Sequence, residues 1–237
     1  MTAAECPYPD TCPVGDPQTL KLTGLRLHTI NANTQLFNVA SSDYIAGVFN
    51  SSGRGAGRFS PITKPVGVTG HVYLGSTRIA ALLETAFHEI GPGRTNAIDE
   101  ANDLAGWHLR TFSFRRPLRL IDLRDNALAR MGINRTALIS SSPAHYRCTR
   151  EWAHRLRSWG RNHDGAVWDS RIAEIAATRS PFLDALKETT FDEAMIIWDD
   201  HLTAEDLNVD VSADDLASPH QRALVDEIAN LLDVAIL

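Results

Sequence analysis

Hydrophobic residues recur along the chain at two spacings, and these spacings predict where strands and helices lie. Strands are predicted where short apolar or alternating runs occur, because side chains alternate between the two faces of a strand; the runs occupy residues 35–40, 71–75, 107–114, 118–123, 166–168 and 194–198. Helices are predicted where apolar residues stand three or four positions apart, at residues 76–90, 146–159 and 223–232. The strands and helices do not alternate strictly, which favours an α+β fold with a mixed β-sheet core flanked by helices.

The order of these elements divides the chain into three parts. Residues 1–18 contain four prolines and no periodic pattern, so they are predicted to form a flexible leader. Residues 19–200 hold a single domain, in which the runs at 107–114 and 118–123 could pair as neighbouring strands and 194–198 is the final core strand. Residues 201–237 are predicted to be an acidic linker and a C-terminal amphipathic helix, which either closes the core or forms a dimer seam.

One predicted helix carries a carboxylate beside its apolar face. Ser76 or Thr77 can cap its start, because a side-chain oxygen accepts hydrogen bonds from the free N–H groups there. Its core face is defined by apolar residues at helical spacing, which are Ile79, Leu82, Leu83, Ala86, Phe87 and Ile90. Glu84 lies beside this stripe, and the glycines and proline at residues 91–93 are predicted to end the helix. A carboxylate in this position can face a cleft.

An arginine, an aromatic residue and this carboxylate occur close together in the sequence. Arg58 follows a glycine-rich turn (GRGAG), where the backbone can approach a ligand and a guanidinium can bind a phosphate; Arg54 is a second candidate in the same turn. Tyr73 suits stacking on a flat ring, although ordinary core packing explains it equally well. Glu84 suits the stabilisation of a cation, or it forms a surface pair with His88 four residues later.

Composition narrows the classes of function. A formal net charge of −6 over 237 residues argues against direct nucleic-acid binding, which depends on clustered Lys and Arg. No apolar run reaches the ~20 residues that cross a bilayer, and the polar, proline-rich start is unlike a signal peptide. The three cysteines, Cys6, Cys12 and Cys148, do not form the even set of a secreted disulfide framework. We therefore expect a cytoplasmic protein without a membrane association.

Other catalytic chemistries have less support. Ser170 follows the predicted strand 166–168, but it lies in no G-x-S-x-G elbow, so a hydrolase nucleophile is not predicted and a helix cap is the simpler interpretation. The nine histidines show no zinc-protease spacing. Cys6 and Cys12 also lack the partners and spacing of a zinc site, so no metal is predicted.

The order of Arg58, Tyr73, Glu84 and Ser170 resembles the RES-domain family, which is named after its arginine, glutamate and serine. Five segments look like the family's pattern and keep its order over roughly residues 25–200, namely GRF, VYLGSTRIAALLE, LRLIDL, DGAVWDSR and FDEAMIIWDD. Two features depart from that pattern. Asn38, in LFNVA, stands in the apparent place of a family arginine, and the connection from GRF to Tyr73 looks longer than usual.

The resemblance implies an ADP-ribosyltransferase-like fold around an NAD cleft, and a toxin that degrades NAD and is held in check by a cognate antitoxin. It implies that Arg58 anchors the dinucleotide and that Tyr73 packs against the nicotinamide ribose or ring. Glu84 would stabilise the developing oxocarbenium ion and orient the attacking water or phosphate. Ser170 would position the ribose or Glu84 itself, and Arg54 would add a phosphate contact.

The expected activity is cleavage of the nicotinamide–ribose bond of NAD, by a glycohydrolase or a phosphorylase. Its leaving group already carries the positive charge of a pyridinium, so one carboxylate can suffice where glycosidases use two. Two alternatives remain open: ADP-ribosyl transfer to a macromolecule, and a catalytically silent module that binds NAD or a partner. The second alternative, the silent module, is motivated by Asn38, which stands in the apparent place of a family arginine.

Overall fold

The computed structural model describes residues 11–19, 22–43, 49–55, 57–88, 96–160, 162–170, 193–210 and 215–237. Its strands are β1 (Leu27–Ile30), β2 (Leu36–Ser41), β3 (Ile62–Thr63), β4 (Val68–Thr69), β5 (His71–Gly75), β6 (Ala97–Ile98), β7 (Trp107–Phe114), β8 (Leu118–Asp122), β9 (Gly165–Asp169), β10 (Glu193–Trp198), β11 (Leu207–Asp210) and β12 (Ala235–Ile236). Its α-helices are α1 (Arg78–Leu83), α2 (Asp125–Arg130), α3 (Arg135–Leu138), α4 (Tyr146–Arg157) and α5 (Pro219–Leu232). Cys6 and the predicted helix end at residues 91–93 lie outside the described residues.

An eight-stranded sheet forms the centre of the fold, with the strand order β1-β8-β9-β10-β5-β2-β7-β11. β8 and β9 pair in parallel, whereas β10 pairs antiparallel with both β9 and β5. The sheet is therefore mixed, and the predicted α+β class with flanking helices is confirmed.

The predicted pairing of residues 107–114 with residues 118–123 is wrong. β7 lies between β2 and β11, and β8 lies between β1 and β9. The link Arg115-Arg116-Pro117 contains neither the glycine nor the asparagine that a tight hairpin favours. The chain does not turn back at this link. Instead, β7 pairs antiparallel with β2, and β8 pairs antiparallel with β1.

The C-terminal part belongs to the same fold. β10 was expected to be the final strand, but β11 follows it and pairs with β7 at the edge of the sheet. The apolar face of α5 is buried in the cluster that also holds Leu82 and Leu83 of α1, and its buried residues are Val225, Ile228, Ala229 and Leu232. Of the two roles open to this helix, the structure shows it closing the core.

The described part of the predicted leader, residues 11–18, packs against α4. Val14 is 4% exposed and belongs to the cluster that contains Trp152. The indole N–H of Trp152 donates a hydrogen bond to the carbonyl oxygen of Gly15, at 3.3 Å. Apolar burial and this hydrogen bond hold residues 11–18 on the domain, where composition alone indicated flexibility. Among the described residues, no helix is long and apolar enough to cross a membrane.

The stability of the fold should decrease as the pH falls through the histidine range. Burial lowers the pKa of His163 and His71 below their ordinary value of 6.5. The unfolded chain therefore binds more protons near pH 6.5, so the contribution of these groups is present above that value and is lost below it. Urea unfolding at about pH 7.5 and about pH 5.5 should give a smaller free energy of unfolding at the lower pH.

His163 provides the specific test of this pH dependence. Its ring lies between Trp159 and Trp198, with centroid distances of 6.1 and 5.7 Å. His163→Gln should reduce the difference between the two pH values, whereas His220→Gln, at an exposed position on α5, should leave it unchanged. An equal reduction in both variants would show that burial of His163 does not cause the pH dependence of the free energy of unfolding.

Candidate active site

A cleft of about 540 Å³ opens beside the central strands β5 and β2. This volume lies within the usual range for small-molecule sites. Four of the predicted site residues, Arg54, Arg58, Tyr73 and Glu84, line the cleft, although they come from separate parts of the chain. The fifth, Ser170, contacts one of these four residues from behind the wall.

Tyr73 joins the central sheet to the glycine-rich turn. Its hydroxyl oxygen accepts hydrogen bonds from the backbone N–H of Phe59, at 3.0 Å, and from the hydroxyl of Ser60, at 3.1 Å. Burial raises the pKa of Tyr73 to about 12, so the phenol stays neutral at physiological pH. A Cβ at Gly57 would come within 2.8 Å of the Tyr73 hydroxyl oxygen, so this close approach requires glycine. The tyrosine thereby fixes the turn that carries Arg58.

Arg58 is buried in the cleft wall and is held by α4 and the residues before it. The residue is 8% exposed, and its Nη1 donates to the carbonyl oxygen and to the hydroxyl of Ser141, at 3.0 and 2.9 Å. Its guanidinium carbon lies 5.1 Å from the ring centre of Tyr146. Its own carbonyl oxygen accepts a 2.5 Å hydrogen bond from the Thr149 hydroxyl. These contacts fix the guanidinium before any ligand binds.

The rest of this guanidinium faces the cleft. Within the described part of the chain, neither Nε nor Nη2 of Arg58 has a hydrogen-bond partner, and neither atom is among the buried atoms that lack one. Two N–H groups at fixed positions suit an anionic oxygen such as that of a phosphate. Arg54 is exposed at the same cleft and supplies a second positive charge.

Glu84 immediately follows α1, and Ser170 immediately follows β9. The Thr77 hydroxyl oxygen accepts a 3.0 Å hydrogen bond from the backbone N–H of Ala80, as predicted for the start of the helix. The helix is shorter than predicted, because α1 stops at Leu83 and Glu84 is its C-cap. Ser170 is 2% exposed, and its hydroxyl donates to Oε1 of Glu84 at 2.6 Å. This hydrogen bond fixes the carboxylate at the cleft.

The contacts of Glu84 and His88 argue against the surface pair between them. The carboxylate is half-buried and contacts Ser170, and Nε2 of His88 lies 2.9 Å from the Tyr146 hydroxyl oxygen. Each partner of the supposed surface pair is thus engaged with a residue on a different element. His88 and Tyr146 both line the cleft, and neither was predicted to belong to the site.

Arg110 is the principal cleft residue that the sequence analysis missed. It lies on β7 directly opposite Asn38 of β2, whose side-chain N–H₂ donates to the carbonyl oxygen of Tyr73 at 2.9 Å. Arg110 is 7% exposed, lines the cleft and donates to the carbonyl oxygen of Ser41 at 3.0 Å. Burial lowers the pKa of Arg110, because removing the charged guanidinium from water disfavours it. A guanidinium therefore lies beside Asn38, the position where the resemblance led us to expect an arginine.

The protein is of the α+β class, with a mixed sheet whose cleft brings together an arginine-bearing turn and a carboxylate that is hydrogen-bonded to a buried serine. The RES domain family matches residues 35–178, more than half of the chain. The chain belongs to the RES domain family, as the four ordered residues predicted.

One solved structure shares the fold at low sequence identity. A chain of the crystal structure of the M. tuberculosis MbcT–MbcA toxin–antitoxin complex aligns with a TM-score of 0.56 and 15% identity. The alignment covers 85% of the present chain and 92% of that chain, so the similarity extends over nearly the whole fold. No curated protein matches the sequence significantly.

Proposed function

We propose that the protein is a RES-type toxin that cleaves the nicotinamide–ribose bond of NAD, as a glycohydrolase or a phosphorylase. The observation that carries this proposal is the 2.6 Å hydrogen bond from Ser170 to Glu84, at a cleft that also contains Arg58 and Tyr73. Membership of the RES domain family supports the same reaction class. A carboxylate that is fixed before the substrate binds needs little reorganisation to stabilise a developing cation.

In this proposal, the two halves of the site have separate tasks. The pyrophosphate of NAD binds the N–H groups of Arg58, with Arg54 at the cleft mouth. Tyr73 packs against the nicotinamide ribose or ring and keeps the Arg58 turn in place through its hydroxyl. The glycosidic bond then lies between these two contacts. Binding of the pyrophosphate and of the nicotinamide end therefore orients C1′ of the ribose for the reaction.

The chemical step requires one carboxylate. The bond from C1′ of the ribose to the pyridinium nitrogen breaks, and its electron pair leaves with neutral nicotinamide. Glu84 stabilises the resulting oxocarbenium ion and, on the same face, orients the oxygen of water or phosphate that bonds to C1′. In hydrolysis the attacking water loses a proton, and Glu84 is placed to accept it. Ser170 keeps the carboxylate in the required orientation.

The test is incubation of the purified protein with NAD, with and without inorganic phosphate, while nicotinamide is measured. Release without phosphate, together with ADP-ribose, indicates a glycohydrolase; release that requires phosphate, together with a phosphorylated ADP-ribose, indicates a phosphorylase. Label that moves from NAD to protein or nucleic acid would favour ADP-ribosyl transfer. Tight NAD binding with no release under either condition, by folded protein, would favour the silent module and reject the proposal.

A cognate antitoxin is part of the proposal. The solved structure with the same fold comes from a toxin–antitoxin complex, which supports a similar partner for this chain. Expression of the chain alone should lower cellular NAD and arrest growth. Co-expression of the product of a neighbouring gene should relieve both effects and yield a complex that copurifies with the chain.

Arg110 should contribute to binding of the dinucleotide. Arg110→Met keeps much of the buried side-chain volume but removes the positive charge from the cleft wall, so we expect the KM for NAD to rise about 10- to 100-fold, as for loss of a charge-assisted hydrogen bond. Initial rates of nicotinamide release at varied NAD concentration measure the effect. Arg115→Met, at an exposed position after β7, is the matched control. Equal KM values in the two variants would show that Arg110 has only a structural role.

A further inference from the structure

We propose that Cys12, His145 and Cys148 form a zinc-binding site. The Sγ atom of Cys12 lies 3.6 Å from Nδ1 of His145 and 3.6 Å from Sγ of Cys148. The three donor atoms all lie within 4.8 Å of one another. The site is separate from the cleft, because none of the three residues lines it.

The distances fit a tetrahedral zinc ion. Zinc binds thiolate sulfur at about 2.3 Å and imidazole nitrogen at about 2.0–2.1 Å, so tetrahedral angles place two sulfurs about 3.8 Å apart and a sulfur and a nitrogen about 3.5 Å apart. The observed separations of 3.6 Å are close to both values. Two of the three donor pairs thus have the separation that a tetrahedral ion requires, and the third pair lies within 4.8 Å. A water can occupy the fourth position.

The donor set selects the metal. Thiolate and imidazole are the ligands that zinc prefers, whereas magnesium and calcium require oxygen. Cys148 lies in the first turn of α4, which holds its sulfur beside that of Cys12. Cys148 is buried, and Cys12 and His145 are half-buried, so a bound ion would be partly shielded from solvent.

The sequence spacing concealed this site. Cys12 is separated from His145 by 133 positions and from Cys148 by 136 positions. The expectation of no metal site was based on the spacing of the histidines and on Cys6 and Cys12. The packing of residues 11–18 on α4 brings Cys12 to the other two donors.

A bound ion would stabilise the start of α4, which supports the cleft. His145 immediately precedes Tyr146, whose ring lies against the Arg58 guanidinium, and Cys148 immediately precedes Thr149, which donates to the carbonyl oxygen of Arg58. Zinc would link residues 11–18 to the first turn of α4. We therefore assign the ion a structural role in which it holds the wall that contains Arg58.

The experiment measures metal binding itself, with reduced, metal-free full-length protein. Titration with Zn²⁺ should show one ion per chain, and Co²⁺ in its place should give the thiolate charge-transfer absorption of a tetrahedral site. Cys12→Ser and His145→Ala should each weaken Zn²⁺ binding by about 100-fold or more. His154→Ala, a half-buried histidine on the same helix but outside the cluster, should bind Zn²⁺ as the wild type does.

Thermal unfolding provides the second readout. Zn²⁺ at about 100 times its Kd should raise the unfolding midpoint of the wild type by about 5 °C or more and leave that of Cys12→Ser unchanged. Wild-type binding no tighter than that of Cys12→Ser would overturn the proposal. Oxidation of Cys12 and Cys148 to a disulfide, with no Zn²⁺ binding by the reduced protein, would also overturn it. Circular dichroism should be used to check that each variant folds. If Cys12→Ser does not fold, His145→Ala still tests the site.

Discussion

Replacing Glu84 with Gln should lower the rate of nicotinamide release from NAD by about 1000-fold or more, the upper range for loss of a single electrostatic stabiliser. Glutamine has nearly the same shape, and its amide oxygen can still accept the hydrogen bond from Ser170. The substitution therefore removes the negative charge and little else. Because the charge acts on a cation that exists only near the transition state, kcat should fall while the KM for NAD changes little.

Glu227→Gln is the control for this experiment, because Glu227 is exposed on α5, away from the cleft. Its kcat should equal that of the wild type, and thermal unfolding should show that both variants are folded. A Glu84→Gln rate within about tenfold of the wild type would mean that another group stabilises the cation.

Replacing Arg58 with Lys should lower kcat/KM for NAD by about 100-fold, mainly through a higher KM. The guanidinium uses Nη1 for two hydrogen bonds to Ser141 and keeps two other N–H groups at fixed positions for a phosphate. A lysine ammonium has the same charge but is a single flexible point donor, so it cannot hold Ser141 and also present two aligned donors. Loss of one or two charge-assisted hydrogen bonds gives an effect of this size.

The control for Arg58→Lys is Arg78→Lys. Arg78 also places its guanidinium near an aromatic ring, 5.8 Å from the ring centre of Phe37, but it is exposed on α1 and does not line the cleft. Kinetics of nicotinamide release and the unfolding midpoint should be compared for both variants. An unchanged KM in folded Arg58→Lys would show that the phosphates of NAD bind elsewhere.

Strong local patterns allowed most of the fold to be predicted. The apolar runs identified β2, β5, β7, β8, β9 and β10, because a buried strand needs several consecutive β-branched or aromatic residues. The strands β1 (LHTI) and β11 (LNVD) each contain only two apolar residues, which are not adjacent, so neither gives an apolar run. Strand order could not be predicted from the same patterns, since an apolar run does not show which neighbour it pairs with.

The sequence similarly indicated the chemistry of the site but not its assembly. Arg58, Tyr73 and Glu84 were predicted from their residue types and their order along the chain, and the cleft brings them together. Ser170 looked like an ordinary cap, since its contact with Glu84 is formed across 86 positions. Arg110 could have been noticed as a charged residue within an alternating strand, which is costly to bury without a role.

The position of β10 has a consequence for how the protein is made. Glu84 follows β5 and Ser170 follows β9, but these two strands are not neighbours, because β10 lies between them and pairs with both. The strand that connects the two halves of the site is thus synthesised after both of them. A polypeptide still emerging from the ribosome lacks the sheet that fixes Ser170 against Glu84 until residue 198 has been added. Under the proposed function, a translation product that ends before residue 198 is therefore inert towards NAD.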